Sequence, residues 1–428
     1  MIHRIEALNY RCLRDIDVTL GNFEILVGPN GSGKSSLLDV IAILGDILRA
    51  GPTRSILGDP RLGIPQRSPD PAQLRWMRQG DRFELAVEAP IPAEIKDQFK
   101  NGGYDSCRYE LAIGAGNSGD EVSLLAETFW LKPEKQKEST TSQAVLFPEP
   151  NPPRKSLVHP PGGKTPSGWK KVVNKIQESG NDYYFAETSG WNNPFRLGPG
   201  KSALGNLPED EARFPVATWF KRMLMEGVQR IVLSSEALRR PSPPGLPRML
   251  LPDGSNLPWI VAALEREHDT ALKRWVAHLK TALPDLKDIR TIERAEDKHR
   301  YIVLVYSGGL EAPSWLVSDG TLRLLALTLL AYIPGLSGIY LIEEPENGIH
   351  PRAVEAVYEA LSSVYDAQIL CASHSPLMVG RADPSKILCF ARSEDSATAI
   401  VRGSQHPKLK AWKGEVDLGT YFASGVLE

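Results

Sequence analysis

The sequence predicts an α/β protein built on a phosphate-binding loop, with an antiparallel side sheet and a mostly helical insertion. Three observations predict this. Gly28-Pro29-Asn30-Gly31-Ser32-Gly33-Lys34-Ser35 stands between a short apolar strand and an apolar helical run. Short apolar strands alternate with helical segments again from Tyr301 onward. Between these stretches lie alternating strands over 82–132 and apolar residues at helical spacing over 259–283. The chain accordingly divides into an N-terminal part, 1–132, carrying the loop and side sheet; an insertion, 133–300, a Pro-rich loop followed by mostly helix; and a C-terminal part, 301–428.

Taken in order, Arg4 to Leu8 and Ile16 to Leu20 alternate as two strands around a turn, and Phe23-Glu24-Ile25-Leu26-Val27 is a buried strand leading into the loop. Ser36 to Leu44 opens an amphipathic helix. A strand, a Gly-rich loop and a helix N-terminus together aim backbone N–H groups and the positive end of a helix dipole at a polyphosphate. Gly28 and Gly33 let the backbone turn and approach the phosphates closely. Asn30, Gly31, Ser32, Gly33, Lys34, Ser35 and Ser36 are the candidate nucleotide contacts, with Lys34 on the β- and γ-phosphates and the Ser35 hydroxyl on Mg²⁺. The pattern predicts a nucleoside triphosphate as ligand.

Residues 50–80 form a Pro-, Gly- and Arg-rich excursion. Strands follow at Arg82 to Ala89, Arg108 to Ile113 and Glu127 to Lys132. From 133 to 171 the composition turns to Pro, Lys, Ser and Gly, which predicts an exposed or partly disordered segment. A second Pro-rich stretch runs from Arg240 to Pro258. Helices are expected over Trp219 to Met225 and, as one element, 259–283. Strands at Ile302 to Tyr306, Gly338 to Ile342, Gln368 to Ala372 and Ile387 to Phe390 then alternate with helices over 322–333 and 352–365.

Composition bounds the function. The 428 residues carry a net charge of −2, so no global basic field advertises nucleic acid or an acidic membrane. Cys12, Cys107, Cys371 and Cys389 are scattered, without metal-like or disulfide-like spacing, as suits a reducing compartment. No apolar run approaches the roughly 18–20 residues that span a bilayer. A soluble, cytoplasmic protein without a membrane partner is expected.

Three later segments suit a phosphate loop. Ile339-Tyr340-Leu341-Ile342 is an apolar strand ending in Glu343-Glu344-Pro345; one acid there can hold Mg²⁺ and the next can orient the attacking water. Two acids directly after four apolar residues are costly to bury without a metal or donors. Val317-Ser318-Asp319-Gly320-Thr321 opens a helix and offers Ser318 and Gly320 at a second anion site. Ile369 to Ala372 ends in Ser373-His374-Ser375-Pro376, where His374 can contact a γ-phosphate. The Glu346-Asn347-Gly348-Ile349-His350-Pro351 turn follows the acids, and for His350 a structural and a functional role stay equally open.

In this order the motifs resemble the ABC-type ATPases of the OLD-like and SMC/RecF-like group, and Leu8-Asn9-Tyr10-Arg11-Cys12-Leu13-Arg14-Asp15 resembles that group's first hairpin. The matching segments cover roughly 1–48 and 300–380. The resemblance implies an ABC-type ATPase head that binds ATP and Mg²⁺ and works as a head-to-tail homodimer, each ATP lying between one loop and the other subunit's signature. It implies Ser35 and Glu343 as metal ligands, Glu344 as general base, His374 as the switch, and Ser318 and Gly320 acting in trans. Glu343 departs from the group's common aspartate. The glutamine that usually follows the loop helix has Gln73 and Gln79 as candidates. OLD nucleases continue into a Toprim domain, and the roughly fifty residues after His374 are too few for one. The expectation is therefore an ATPase subunit controlling a separate effector, a nuclease, in a Septu-like antiviral cassette. The alternative is a RecF-like repair or recombination ATPase that contacts DNA directly. A transporter ATPase fits poorly, because the separation between loop and signature far exceeds that of a compact transporter head.

Overall fold

The computed structural model describes residues 1–99, 103–115, 122–133, 153–159, 165–176, 182–393, 395–410 and 418–425. The chain forms two compact units: Met1–Gly21, Pro29–Val228 and Phe390–Val401 make the first, and Asn22–Gly28, Gln229–Cys389 and Arg402–Glu428 the second.

In the first unit eight strands lie side by side in the order Leu13–Thr19, Arg4–Tyr10, Arg82–Pro90, Ser106–Ala115, Val122–Lys132, Lys170–Ile176, Asp182–Phe185, Asn192–Phe195. Neighbours run antiparallel. The helix Lys34–Leu57 buries Leu37, Val40, Ile41, Leu44, Ile47 and Leu48, the spacing of an apolar stripe. It runs close to the helix Pro215–Met225: a Cβ on Gly45 would overlap the carbonyl oxygen of Leu224.

The side sheet also carries buried charge. Arg108 pairs with Glu6, Glu88 at 2.9 Å and Glu110 at 2.6 Å, and Lys132 reaches Glu88 at 2.6 Å. Burial opposes ionisation of Glu88, yet Lys132 and Arg108 hold its carboxyl below the usual range. Within the expected exposed segment, 133–171, the stretch 153–159 is docked, whereas Thr165, Ser167 and Gly168 are exposed. Leu157 and Val158 are buried and donate backbone N–H bonds to Glu84, while Arg154 pairs with Asp15 and Glu6. Buried carboxylates require donors, and the 153–159 stretch supplies them. Residues 134–152 and 160–164 lie outside the described residues.

A mostly helical stretch is expected between 133 and 300, yet Lys170–Ile176, Asp182–Phe185 and Asn192–Phe195 extend the side sheet. They are short and rich in Lys, Asn and Asp, so no apolar alternation marks them. The compact units accordingly cut the chain elsewhere than at 132 and 300.

The sheet of the second unit has Val228–Ile231, Ile339–Glu343, Gln368–Ala372, Phe23–Val27 and Ile387–Arg392 as neighbours in that order, with Val228 and Phe390–Arg392 counted in the first unit. The last four are parallel, with Ile342 opposite Cys371, Cys371 opposite Ile25 and Ile387 opposite Ile25. Phe23, Ile342, Leu325, Val357, Trp275 and Leu279 belong to one buried core, within which the Trp275 indole donates to Thr328 Oγ1 at 2.9 Å. The helix expected over 259–283 is two helices, Leu257–Glu267 and Asp269–Ala282, because His268 leaves helical geometry with φ −143 and ψ 47. The helices Asp319–Leu329 and Pro351–Ser362 and a three-stranded antiparallel sheet, Leu286–Glu293, Arg300–Tyr306 and Glu311–Pro313, complete the unit.

Candidate nucleotide site

The loop after Val27 needs glycine for conformational reasons. Gly31 has φ 72 and Gly33 φ 109, a region that side chains strain. Gly33 begins the helix Lys34–Leu57, whose start has no side-chain cap and no acid in its first turn. Its dipole and N–H groups thus face no carboxylate of that helix's first turn. The Lys34 ammonium, buried, donates to Pro29 O at 2.9 Å, folding the side chain back over the loop. The Ser32 hydroxyl is buried and has no hydrogen-bond partner among the described residues. Such a group costs about 1–3 kcal/mol until an acceptor or donor arrives. The Cys12 thiol donates to Ser36 Oγ at 3.4 Å, and Asn30 and Ser35 are exposed. Positive-φ glycines, an uncapped helix start, a lysine and an orphan hydroxyl together suit a polyphosphate.

The second unit aligns the carboxyl ends of three parallel strands, the place where open α/β sheets bind ligands. Glu343 lies opposite Ala372, and Ala372 opposite Leu26, two residues before Gly28. The Glu343 carboxylate is ion-paired with Arg230 on the neighbouring strand at 2.7 Å. Glu344 is exposed and holds φ 48, a conformation costing of order 1–3 kcal/mol for a residue with a Cβ. Its N–H donates to Ala372 O at 2.8 Å, tying the acidic turn to the next strand end. Glu346 makes a second tie: its Oε1 accepts from Ser373 Oγ and from the His374 N–H, both at 2.8 Å. Glu346 is not among the site residues that the sequence predicts. Its only signal is its place in an acidic turn, because the bonding partners lie 27 and 28 residues away. The structure thus brings Glu343, Glu344 and His374 onto adjacent strand ends.

Ser318 caps the helix Asp319–Leu329, accepting from the Thr321 N–H at 3.2 Å, and remains exposed. Asp319 pairs with Arg239 at 2.6 Å, and the same guanidinium donates to Val317 O. Gly320 packs against the turn after the acids, where a Cβ would overlap the Gly348 carbonyl. His350 caps the helix Pro351–Ser362, its Nδ1 accepting from the Arg352 N–H, which is the structural role. Of the glutamine candidates, Gln73 accepts from Ser68 Oγ at 2.8 Å, and both it and Gln79 are exposed.

A family model described as "AAA domain, putative AbiEii toxin, Type IV TA system" matches residues 24–380. Over 48 residues the chain is 48% identical to an OLD nuclease from Thermus scotoductus, a match taking in 11% of this chain and only 9% of that protein. The solved structure of an SMC head bound to the C-winged helix domain of ScpA covers 94% of this chain, with 96% of its own chain covered, at TM-score 0.53 and 13% identity. A second SMC head, from Pyrococcus furiosus, overlays at TM-score 0.49 and 12% identity over 94% of this chain and 95% of its own. The chain belongs to the AAA-domain family of that description, and its fold is similar to that of an SMC head.

Proposed function

We propose that this ATPase binds Mg²⁺-ATP through its phosphate loop, hydrolyses it, and uses the cycle to control a separate effector. The observation that carries the reading is the loop itself: positive-φ glycines, a buried orphan hydroxyl at Ser32 and an uncapped helix start. Lys34 and the N–H groups of the loop hold the phosphates. Ser35 and Glu343 hold the Mg²⁺, which neutralises phosphate charge when bound. Glu343, ion-paired with Arg230 at 2.7 Å, would hold the metal together with Ser35. Glu344 takes the proton of the attacking water, and His374, fixed through Glu346, contacts the γ-phosphate. Ser318 and Gly320 act on the nucleotide of a second copy in a head-to-tail dimer. The effector is a nuclease and its setting antiviral defence. The short match to an OLD nuclease and the family's description in terms of a toxin–antitoxin system support that reading.

The test is calorimetry of Mg²⁺-ATP binding to the wild type and to Lys34→Ala. Loss of a charged contact to phosphate should weaken binding by about tenfold to a hundredfold. Equal affinities would remove the phosphate-loop reading. Co-purification from the native operon, followed by nuclease assay of the complex with and without ATP, tests the effector.

A further inference from the structure

Two consecutive carbonyls of the phosphate loop are gripped from residues near the far end of the chain. Arg392 Nε donates to Gly31 O at 2.9 Å, and Thr398 Oγ1 donates to Ser32 O at 2.8 Å. Both belong to the first unit, as the loop from Pro29 onward does. The fit is close. A Cβ on Gly31 would overlap Arg392 Nη2, and one on Gly33 would overlap Thr398 Oγ1. The hairpin bearing these groups is itself anchored. Thr398 N–H donates to Cys12 O at 2.9 Å, and Asp395 pairs with Arg14, whose guanidinium lies 4.8 Å from the Trp76 ring centre. Inside the hairpin, Asp395 also accepts from Ser393 Oγ and the Ala397 N–H.

A trans peptide points its C=O and the following N–H in opposite directions. Holding the Ser32 carbonyl on one side therefore turns the Gly33 N–H to the other, while the Ser32 N–H donates within the loop to Pro29 O at 3.3 Å. An N–H turned outward in this way is the kind of donor a phosphate nest uses. We propose that Arg392 and Thr398 are positioning residues for nucleotide binding: they fix two peptide planes of the loop so that it is preformed for phosphate before ATP arrives. The inference rests on the phosphate-loop reading above. It concerns residues beyond the span 24–380 that the family model matches. A glycine-rich loop left unbraced samples many conformations, and ordering it on binding lowers affinity. The brace removes that loss.

The experiment compares ATP and ADP affinities, by calorimetry on the full chain, for Thr398→Val, Thr398→Ser, Arg392→Ala and Lys34→Ala, with melting temperatures measured alongside. Thr398→Val is near-isosteric and lacks only the hydroxyl donor. It and Arg392→Ala should each lose about tenfold in affinity. The loss should be equal for ATP and ADP, because both seat a β-phosphate in the same nest. Thr398→Ser should restore binding. Wild-type affinity in both Thr398→Val and Arg392→Ala overturns the inference, as does a change in melting temperature without a change in affinity. If Arg392→Ala fails to fold, the valine–serine pair at 398 decides alone. Wild-type affinity in Lys34→Ala marks failure of the phosphate-loop reading, whereas its loss beside unaffected brace variants marks failure of the brace only.

Discussion

Two helix starts in this protein look alike in sequence and differ in structure. The Lys34–Leu57 helix begins behind glycines, with no capping side chain and no acid in its first turn. The Asp319–Leu329 helix begins behind its own cap, Ser318, and carries Asp319 in its first turn. The first presents its dipole to a ligand. The second has used one N–H on its own serine and set a carboxylate where an anion would approach, although Arg239 neutralises that carboxylate. A helix N-terminus is an anion site only to the extent that its donors are left over. With no capping side chain and no acid in its first turn, the start at Lys34 is the better suited of the two to hold phosphate. The signature has the Ser318 hydroxyl and its remaining N–H groups to offer, and suits a supporting contact to phosphate already held elsewhere.

The largest effect expected on either side of this comparison comes from Glu344. Its carboxylate is exposed on a strained turn held by Ala372 O. Glu344→Gln keeps the turn and removes the proton acceptor proposed above, so ATP hydrolysis should fall by about 10²–10⁴-fold while ATP affinity stays near wild type. Steady-state turnover and calorimetry on one preparation check this. Full activity in the glutamine variant, together with loss in Glu343→Gln, would reverse the roles of the two acids.

The next effect separates Gly320 from Ser318. Because a Cβ at 320 would overlap the Gly348 carbonyl, Gly320→Asp strikes its own turn before it reaches any second subunit. Destabilisation of about 1–3 kcal/mol is expected, visible as a lower denaturation midpoint without nucleotide. Ser318 is exposed, and Ser318→Ala removes a cap contributing about 0.5–2 kcal/mol, leaving the backbone undisturbed. It is the cleaner probe of action in trans. Mixed with Lys34→Ala subunits, Ser318→Ala subunits should recover hydrolysis above either alone if the signature serves its neighbour's nucleotide. Absence of recovery, with full activity of Ser318→Ala by itself, rules out that role.

What the sequence makes legible follows the same line. The strand, loop and helix at 23–44 are contiguous, so the motif that predicts them can be read locally. The acidic strand and the Ser-His strand end are read equally well, since each is a short apolar run with a polar terminus. The brace from Arg392 and Thr398 spans 361 and 366 residues of chain, and nothing in either residue's neighbourhood announces it. The tie from Glu346 to the His374 backbone is hidden for the same reason. Gly320 reads as a glycine demanded by a ligand, whereas the structure supplies a nearer cause in the packing of Gly348. The break at His268 escapes because apolar spacing continues across it while the backbone does not. Local periodicity and motif order carry the fold class; pairing across hundreds of residues carries the fine geometry of the site.

A third helix start supplies the internal control, with the smallest effect on the nucleotide cycle. At Pro215–Met225 the Val216 and Ala217 N–H groups donate to the two oxygens of Glu187, each at 2.7 Å. Here the acceptor is a built-in carboxyl group, so this terminus shows what a helix start does with an acid it cannot release. Burial pushes the Glu187 carboxyl up to about 8 from 4.5, against the two N–H bonds and Lys170, which favour the charged form. Below pH 4.5 the folded and unfolded chains both keep this proton. Between 4.5 and about 8 the unfolded chain has released it and the folded chain has not, so stability falls as pH rises through that window. Above about 8 both are ionised and the loss is complete. Glu187→Gln keeps an acceptor oxygen and cannot titrate. Urea midpoints taken from pH 5 to 8.5 should therefore decline less steeply in the variant than in the wild type, with ATP affinity unchanged in both. Equal slopes would mean that the two N–H donors hold Glu187 ionised throughout, and that a helix start here outweighs burial.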